Sequence, residues 1–389
     1  MNLLFQLGHQ PLISTAEIQA VLSLNNSDFK VIKQNANQYL LVETNKNTDS
    51  EELINKLGGT IKIAVEVSPL LKGGRGDLIA QLENYLITNF PTGKIEYSLN
   101  DQRLALELKK SLKANGHSVR YIEPKNTATI LYNKLVDKKS DITVINNQIF
   151  VTTALQPFEE MAERDYQRPG SDNFSGMLPP KLAKIMINLA LSPSYQEGAG
   201  GVAGVKKMVI LDPFCGSGTV LNEAVLMNFK SLIASDISEK AIADSEKNFL
   251  WLKEKYNLKN VTCKFITSDA TQLTKKIKNN SVTLIVTETY LGKPLTGREN
   301  KNQLEKQLTE LKNLYLKACQ EFYQILEPQG VVVIAIPKFK VGNDWLAINW
   351  EKDLEKIGFE LLPFDQEKTL LYHRPNQHLG REIYRFKKT

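Results

Sequence analysis

At 389 residues the chain is too long for one compact core, so two or three domains are expected. Its 42% apolar and 24% charged residues describe a globular composition. No apolar run approaches the roughly 20 residues that span a bilayer, which excludes a helical membrane protein. The opening MNLLFQLGHQ lacks the basic start and cleavage site of a signal peptide, so the expected compartment is the cytoplasm. Cys215, Cys263 and Cys319 stand far apart with no CxxC spacing, and the four histidines are scattered, so no disulfide framework, zinc site or other metal is expected. The net charge of +6 is modest, but it is concentrated: residues 101–140 hold nine Lys/Arg against four Asp/Glu, and residues 367–389 hold six against two. Such segments fit a polyanion partner without requiring one.

In chain order, residues 3–7 predict a strand, and Ser14-Thr15-Ala16-Glu17 predicts a capping box opening a helix with Ile18, Val21 and Leu22 on one face. A strand pair over 30–42, a helix over 51–57 and a strand over 60–67 complete a small α+β layer of ferredoxin-like kind, assigned to residues 1–72. Gly73-Gly74-Arg75-Gly76 punctuates the chain. A second set follows: helix 78–90, strand 95–99, helix 102–114, strand 118–122, helix 128–136 and a single strand 142–151. By order and position of elements, residues 73–156 resemble a THUMP domain, an RNA-binding module of tRNA-modifying enzymes, preceded by its ferredoxin-like partner.

Residues 157–178 are expected to be a linker, and 179–389 a second, larger domain. Pro179 and Pro180 open a helix with Leu182, Ile185, Met186 and Leu189 in one apolar stripe, and residues 194–204 predict a glycine-rich loop. Residues 209–219 read VILDPFCGSGT. An apolar strand delivers Asp212, and a Gly216-Ser217-Gly218 turn leads into a helix beginning near Thr219. The glycines let a ligand approach the main chain, and the first N–H groups of the new helix face it, a geometry suited to a phosphate or a carboxylate. Gly218 is followed by Thr219-Val220-Leu221 and not by Lys-Ser or Lys-Thr, which argues against a Walker loop. The third glycine of the dinucleotide pattern is replaced by Leu221, which argues against NAD. The stretch resembles motif I of S-adenosylmethionine-dependent methyltransferases, in the DPFxGSGT form of enzymes acting on nucleic acid amines.

Two further strands carry the same logic. Strand 231–235 ends in Asp236, positioned to accept ribose hydroxyls, and strand 261–266 ends in Ser268-Asp269-Ala270, where a carboxylate would meet an adenine amino group. Strand 281–286 leads into Thr287-Glu288-Thr289-Tyr290, where amino-methyltransferases commonly carry DPPY or NPPF. An aromatic amine is a poor nucleophile, so its N–H groups must be held by acceptors until the lone pair points at the methyl donor. Glu288 is read as one acceptor, the carbonyl of Thr289 as the second, and Tyr290 as a stacking platform for a flipped base. Glutamate for aspartate and threonine for proline depart from the pattern. A helix over 302–326, strand 330–336, helix 347–357, strand 359–364 and a closing hairpin of 369–374 with 382–386 end the chain; the hairpin is expected to add an antiparallel strand at the edge of a mostly parallel, Rossmann-like sheet.

Together, the front elements, RDYQRPGSDNFSGMLPPKLA, DPFCGSGT, TETYLG and YHRPNQHLGREIY resemble the THUMP-containing tRNA guanosine N2-methyltransferase family over nearly the whole chain. The resemblance implies methyl transfer from S-adenosyl-L-methionine to the exocyclic amine of a guanosine, of the position 10 type, in tRNA. It implies cofactor contacts from Asp212, Phe214, Gly216, Gly218, Thr219, Asp236, Ile237, Asp269 and Ala270, and phosphate or substrate contacts from Arg374 and Arg381. Two alternatives stay open: a DNA adenine-N6 or cytosine-N4 methyltransferase, and a non-catalytic RNA-binding scaffold.

Overall fold

A computed structural model describes residues 1–24, 28–35, 38–45, 48–68, 74–170, 177–191, 208–365, 367–375 and 377–389. The loop expected over 194–204 lies outside them. Among the described residues no helix is long and apolar enough to cross a membrane.

The chain forms two units. The first comprises Met1–Pro11, Ser27–Asn55 and Thr60–Pro157. Its strands are β1 (Asn2–Leu7), β2 (Phe29–Asn35), β3 (Tyr39–Thr44), β4 (Thr60–Ser68), β5 (Ile95–Leu99), β6 (Val119–Tyr121), β7 (Asp141–Ile145) and β8 (Gln148–Leu155). They make one sheet in the order β2-β3-β1-β4-β8-β7-β5-β6, so β8 pairs with β4 and a single sheet serves both stretches that the sequence divides at residue 73. The single strand expected over 142–151 is instead a hairpin. Asn146 and Asn147 both take positive φ, 51° and 61°, between the paired Ile145 and Gln148. Asparagine tolerates that region, and two such residues in a row turn a two-residue hairpin.

Helix α1 (Pro11–Leu24) belongs to the second unit, although its flanking strands belong to the first. In the first unit follow α2 (Ser50–Lys56), α3 (Arg75–Asn89), α4 (Gln102–Ala114) and α5 (Thr127–Tyr132). The capping box expected at Ser14 does not form, because the helix begins three residues earlier, at a proline that its first turn accommodates. The Ser14 hydroxyl donates to the Gly59 carbonyl at 2.8 Å. The buried Glu17 carboxylate accepts from the Gly58 and Gly59 N–H groups, at 2.7 and 2.8 Å, and from Asn188 Nδ2 at 2.7 Å. Long-range partners, an acceptor for Ser14 and three donors for Glu17, displace the local cap.

The second unit continues with α6 (Phe158–Tyr166), within the expected linker, then α7 (Pro180–Ala190), β9 (Val209–Asp212), α8 (Thr219–Leu226), β10 (Ser231–Asp236), α9 (Glu239–Lys255), β11 (Thr262–Thr267), β12 (Val282–Glu288), α10 (Lys301–Ile325), β13 (Leu326–Val341), β14 (Asp344–Leu346), α11 (Glu351–Ile357), β15 (Phe359–Leu361), β16 (Leu370–His373) and β17 (Leu379–Lys388). Strands β11, β10, β9, β12 and β13 lie parallel in that order. Alternate residues face opposite layers. Ile210, Leu284, Val286, Val333 and Ala335 pack towards α7, α8 and α9, whereas Leu211, Ile285, Val332 and Ile334 pack towards α10 and α11. The antiparallel strand is not at the edge: β17 lies between β13 and β15, and β16 covers the first half of its outer side. Its run of buried residues, including Ile383, Tyr384 and Phe386, explains why it needs partners on both sides.

Burial pushes the Glu17 carboxyl up to about 7, against the lowering effect of its N–H partners and Lys184. The folded chain therefore holds a proton that the unfolded chain has released, and this contribution to stability is lost as pH rises from 4.5 through about 7. Urea unfolding should show Glu17→Ala less stable by about 3 kcal/mol, since three buried donors lose their acceptor. Glu17→Gln, which cannot titrate, should flatten the decline in stability between these pH values.

Candidate active site

The carboxyl ends of four adjacent parallel strands carry acids. Asp212 ends β9, Asp236 ends β10, Glu288 ends β12, and Asp269 stands two residues past β11. In open α/β sheets this edge is where ligands bind. Between β9 and α8 the chain makes the expected turn, with the Cys215 N–H donating to the Ser235 carbonyl at 3.0 Å and the Gly218 N–H to the Cys215 carbonyl at 2.8 Å. Gly216 takes φ 49° and Gly218 φ 85°, both in the left-handed region. At Gly218 a Cβ would stand 2.4 Å from Ser245 Oγ, so the helix packs closely there; at Gly216 it would meet nothing within 4 Å, leaving an open cradle.

Each acid has its own donors. Asp236 accepts from the Gly216 N–H at 3.0 Å and the Ser238 N–H at 2.9 Å, so the second strand end fixes the glycine turn of the first. Asp269 accepts from the N–H and hydroxyl of Thr271, both at 2.8 Å, in the turn that holds the buried Ala270. Ile237, next to Asp236, is 71% exposed, an apolar surface facing solvent beside the crevice. Asp212 is buried and accepts from Thr287 Oγ1 at 2.6 Å and from the Phe214 N–H at 3.2 Å. Burial, reinforced by the neighbouring Asp236 and Glu288 and opposed by its two donors, pushes its carboxyl up to about 7. Burial likewise pushes the Cys215 thiol up, in keeping with a small filler in the loop.

Glu288 is largely enclosed, and both its oxygens face Arg381 of β17, Oε1 at Nε and Oε2 at Nη2. Thr289 is buried, and its N–H and hydroxyl both donate to the Ala335 carbonyl, at 3.0 and 3.1 Å. The ring of Tyr290 is half exposed, and its carbonyl accepts from the Tyr315 hydroxyl at 2.5 Å. Arg374 is exposed on the loop between β16 and β17.

Several residues of the site gave no sequence signal of their own. Asn248 of α9 donates to the Ser217 carbonyl and exchanges both hydrogen bonds with Gly170, pinning the glycine turn from behind. Arg168 is buried and donates from Nη1 to Thr219 Oγ1 at 2.6 Å, at the first residue of α8, while its Nε has no partner among the described residues. Arg164 forks onto Glu223 of the same helix, at 2.6 and 3.2 Å. The RDYQRPG stretch was the available pointer to both arginines. Among the described residues no group of three metal-ligating side chains occurs.

A parallel sheet with helices on both faces, a glycine turn and a row of acids past its carboxyl edge define a Rossmann-like, nucleotide-cofactor-binding class of enzyme. The chain matches the family model of a methyltransferase domain over residues 205–383. It is 26% identical, over 97% of both chains, to the tRNA (guanine(10)-N2)-dimethyltransferase of Pyrococcus abyssi, and 29% identical to the protein of the same name from Methanocaldococcus jannaschii over 51% of this chain and 48% of that one. The solved structure of TrmN from Thermus thermophilus shares the fold, with a TM-score of 0.55 over the whole of both chains at 16% identity.

The residues present fit a cationic, adenosine-bearing donor: an open glycine cradle, acids on the next two strands and an exposed apolar side chain beside them. Calorimetry with S-adenosylhomocysteine should find Asp236→Ala weaker by about 1–3 kcal/mol, as a charge-assisted acceptor and the brace of the Gly216 turn are both lost. Unchanged affinity would remove Asp236 from the cofactor site. Because Asp212 ionises near pH 7, affinity for the positively charged S-adenosylmethionine should rise with pH through that value, and Asp212→Asn should abolish the rise.

Proposed function

We propose that this enzyme transfers a methyl group from S-adenosyl-L-methionine to the exocyclic N2 amine of a guanosine in tRNA. The observation that carries the reading is the likeness to the Pyrococcus abyssi tRNA (guanine(10)-N2)-dimethyltransferase along 97% of both chains. A likeness of that extent includes the non-catalytic front half, which a DNA methyltransferase has no need of.

When bound, the cofactor supplies an activated methyl group on a sulfonium, so no covalent enzyme intermediate is required. Asp212, Asp236, Asp269 and the Gly216-Gly218 turn are the residues that would hold it, with Phe214, Thr219, Ile237 and Ala270 around them. Glu288 accepts one N–H of the target amine and the Thr289 carbonyl the other, which restricts rotation of the amine and leaves its lone pair to face the donor. Tyr290 offers an exposed ring on which an extruded purine stacks. As the nitrogen gains positive charge, the largely enclosed Glu288 carboxylate stabilises it, and at such low solvent exposure the interaction is strong. Residues 73–156 and their lysines grip the RNA backbone, with Arg374 as a further phosphate contact.

The test is transfer of labelled methyl from the cofactor to total tRNA and to DNA, followed by nucleoside analysis. Label in N2-methylated guanosine from tRNA is expected; label in DNA alone, or none in either, overturns the proposal. Glu288→Gln should retain cofactor binding and lose about 10²-fold in kcat.

A further inference from the structure

Glu288 and Arg381 are 93 residues apart in sequence and stand on strands that do not pair, since β13 runs between β12 and β17. Glu288 lies beside Ala335 of β13, and Arg381 beside Pro337, so the guanidinium reaches the carboxylate across the intervening strand. Ala335, fully buried at the crossing, is small enough to leave the way clear. The two side chains are only 9% and 11% exposed, and they meet fork to fork. Arg381 is itself held by Tyr372, its cross-strand neighbour on β16, whose ring lies 5.9 Å from the guanidinium carbon. The charged or titratable groups that bear on Glu288 are Arg381 from β17, Asp212 from β9 and Tyr315 from α10.

An arginine this enclosed, with its fork already engaged, is poorly presented to an RNA phosphate. Its position suits a different task. Glutamate is one methylene longer and one rotatable bond looser than the aspartate common at this strand end, and a misplacement of ~1 Å costs on the order of 10²-fold in rate. A bidentate guanidinium removes that looseness. Resting on the methyl-transfer reading above, we propose that Arg381 is the positioning residue for Glu288, fixing where the carboxylate stands and keeping it the charged acceptor for the target amine. Burial pushes the Glu288 carboxyl up and Arg381 pulls it back; without the arginine, burial acts alone.

The experiment compares wild type, Arg381→Gln and Arg381→Lys in methyl transfer to tRNA over pH, with calorimetry on S-adenosylhomocysteine to verify the fold. In Arg381→Gln, kcat should fall by about 10²-fold with KM for tRNA within about twofold, and the acid limb of the pH profile should move up by about one pH unit or more. Arg381→Lys, which keeps charge without the fork, should lie between the two, and it carries the test if the glutamine variant does not bind cofactor. A phosphate contact would instead raise KM, leave the pH profile in place and lower the salt dependence by about one ion, and that result overturns the proposal. Independently of turnover, the Glu288 carboxyl carbon can be titrated by NMR in ¹³C-glutamate-labelled protein, its signal identified by its absence in Glu288→Gln. Its titration should move to higher pH in both arginine variants, further in Arg381→Gln, and an identical titration in wild type and Arg381→Gln overturns the proposal. Should the wild type methylate no tRNA, the substrate reading fails alone, and the NMR titration still decides the role of Arg381.

Discussion

The carboxyl edge of the catalytic sheet gathers like charges, and this repulsion is the constraint on which the rest of the site depends. Asp212 feels both Asp236 and Glu288, and each raises its carboxyl beyond what burial alone does. Two or more carboxylates in one site cannot all ionise without compensation. The protein answers acid by acid: main-chain N–H groups for Asp236, a threonine and a main-chain N–H for Asp212, Thr271 for Asp269, and an arginine for Glu288. What is left is an edge still short of positive charge. The donors that stabilise the edge also build it, since the Gly216 N–H bonded to Asp236 sets the conformation of the cradle.

Behind this edge a layer of buried polar contacts sets the helices. Arg164, Glu223 and Lys184 tie α6, α8 and α7 together, and Asn188 of α7 joins Glu17 of α1 and the Lys56 carbonyl. Such contacts add little net stability over an apolar core, but breaking one partner is costly because the other is left buried and uncompensated. Their effect here is to fix where α8 begins. Thr219, the first residue of that helix, takes its hydrogen bond from Arg168, and Ser217 takes its own from Asn248. The glycine turn thus gains from tertiary contacts the rigidity that its own residues lack.

The legibility of this chain followed the range of the interactions. Local periodicity located the parallel strands within a few residues, and the acids at their ends could be read off because a βα unit repeats one geometry. Readings failed where a distant group decided the outcome. Ser14 and Glu17 form a capping signature, but their partners are Gly58, Gly59 and Asn188. Asn146-Asn147 separates two apolar stretches, and joining them into one strand missed a hairpin whose sign was two residues tolerant of positive φ. The place of β17 inside the sheet, and with it the Glu288–Arg381 pair, depends on strand order, which no spacing encodes. Arg381 was legible as a cation of the closing hairpin; its partner was not.

The strand end that departs from the common amino-methyltransferase pattern is held by other means than proline. A proline after the acid fixes φ and has no N–H to place. Thr289 brings an N–H and a hydroxyl into a buried position, where each unmatched donor would cost on the order of 1–3 kcal/mol. Both find the same acceptor, the Ala335 carbonyl, and so extend the pairing of β12 with β13 by one residue past Glu288. One residue on, Tyr315 of α10 donates to the Tyr290 carbonyl and fixes the chain as it leaves the sheet. A turn that proline would stiffen covalently is here stiffened by three hydrogen bonds from the main chain, a threonine and a helix. The substitution at 289 therefore does not by itself loosen the site. The burden of adjustment falls on the acid, where the longer side chain reaches an arginine two strands away.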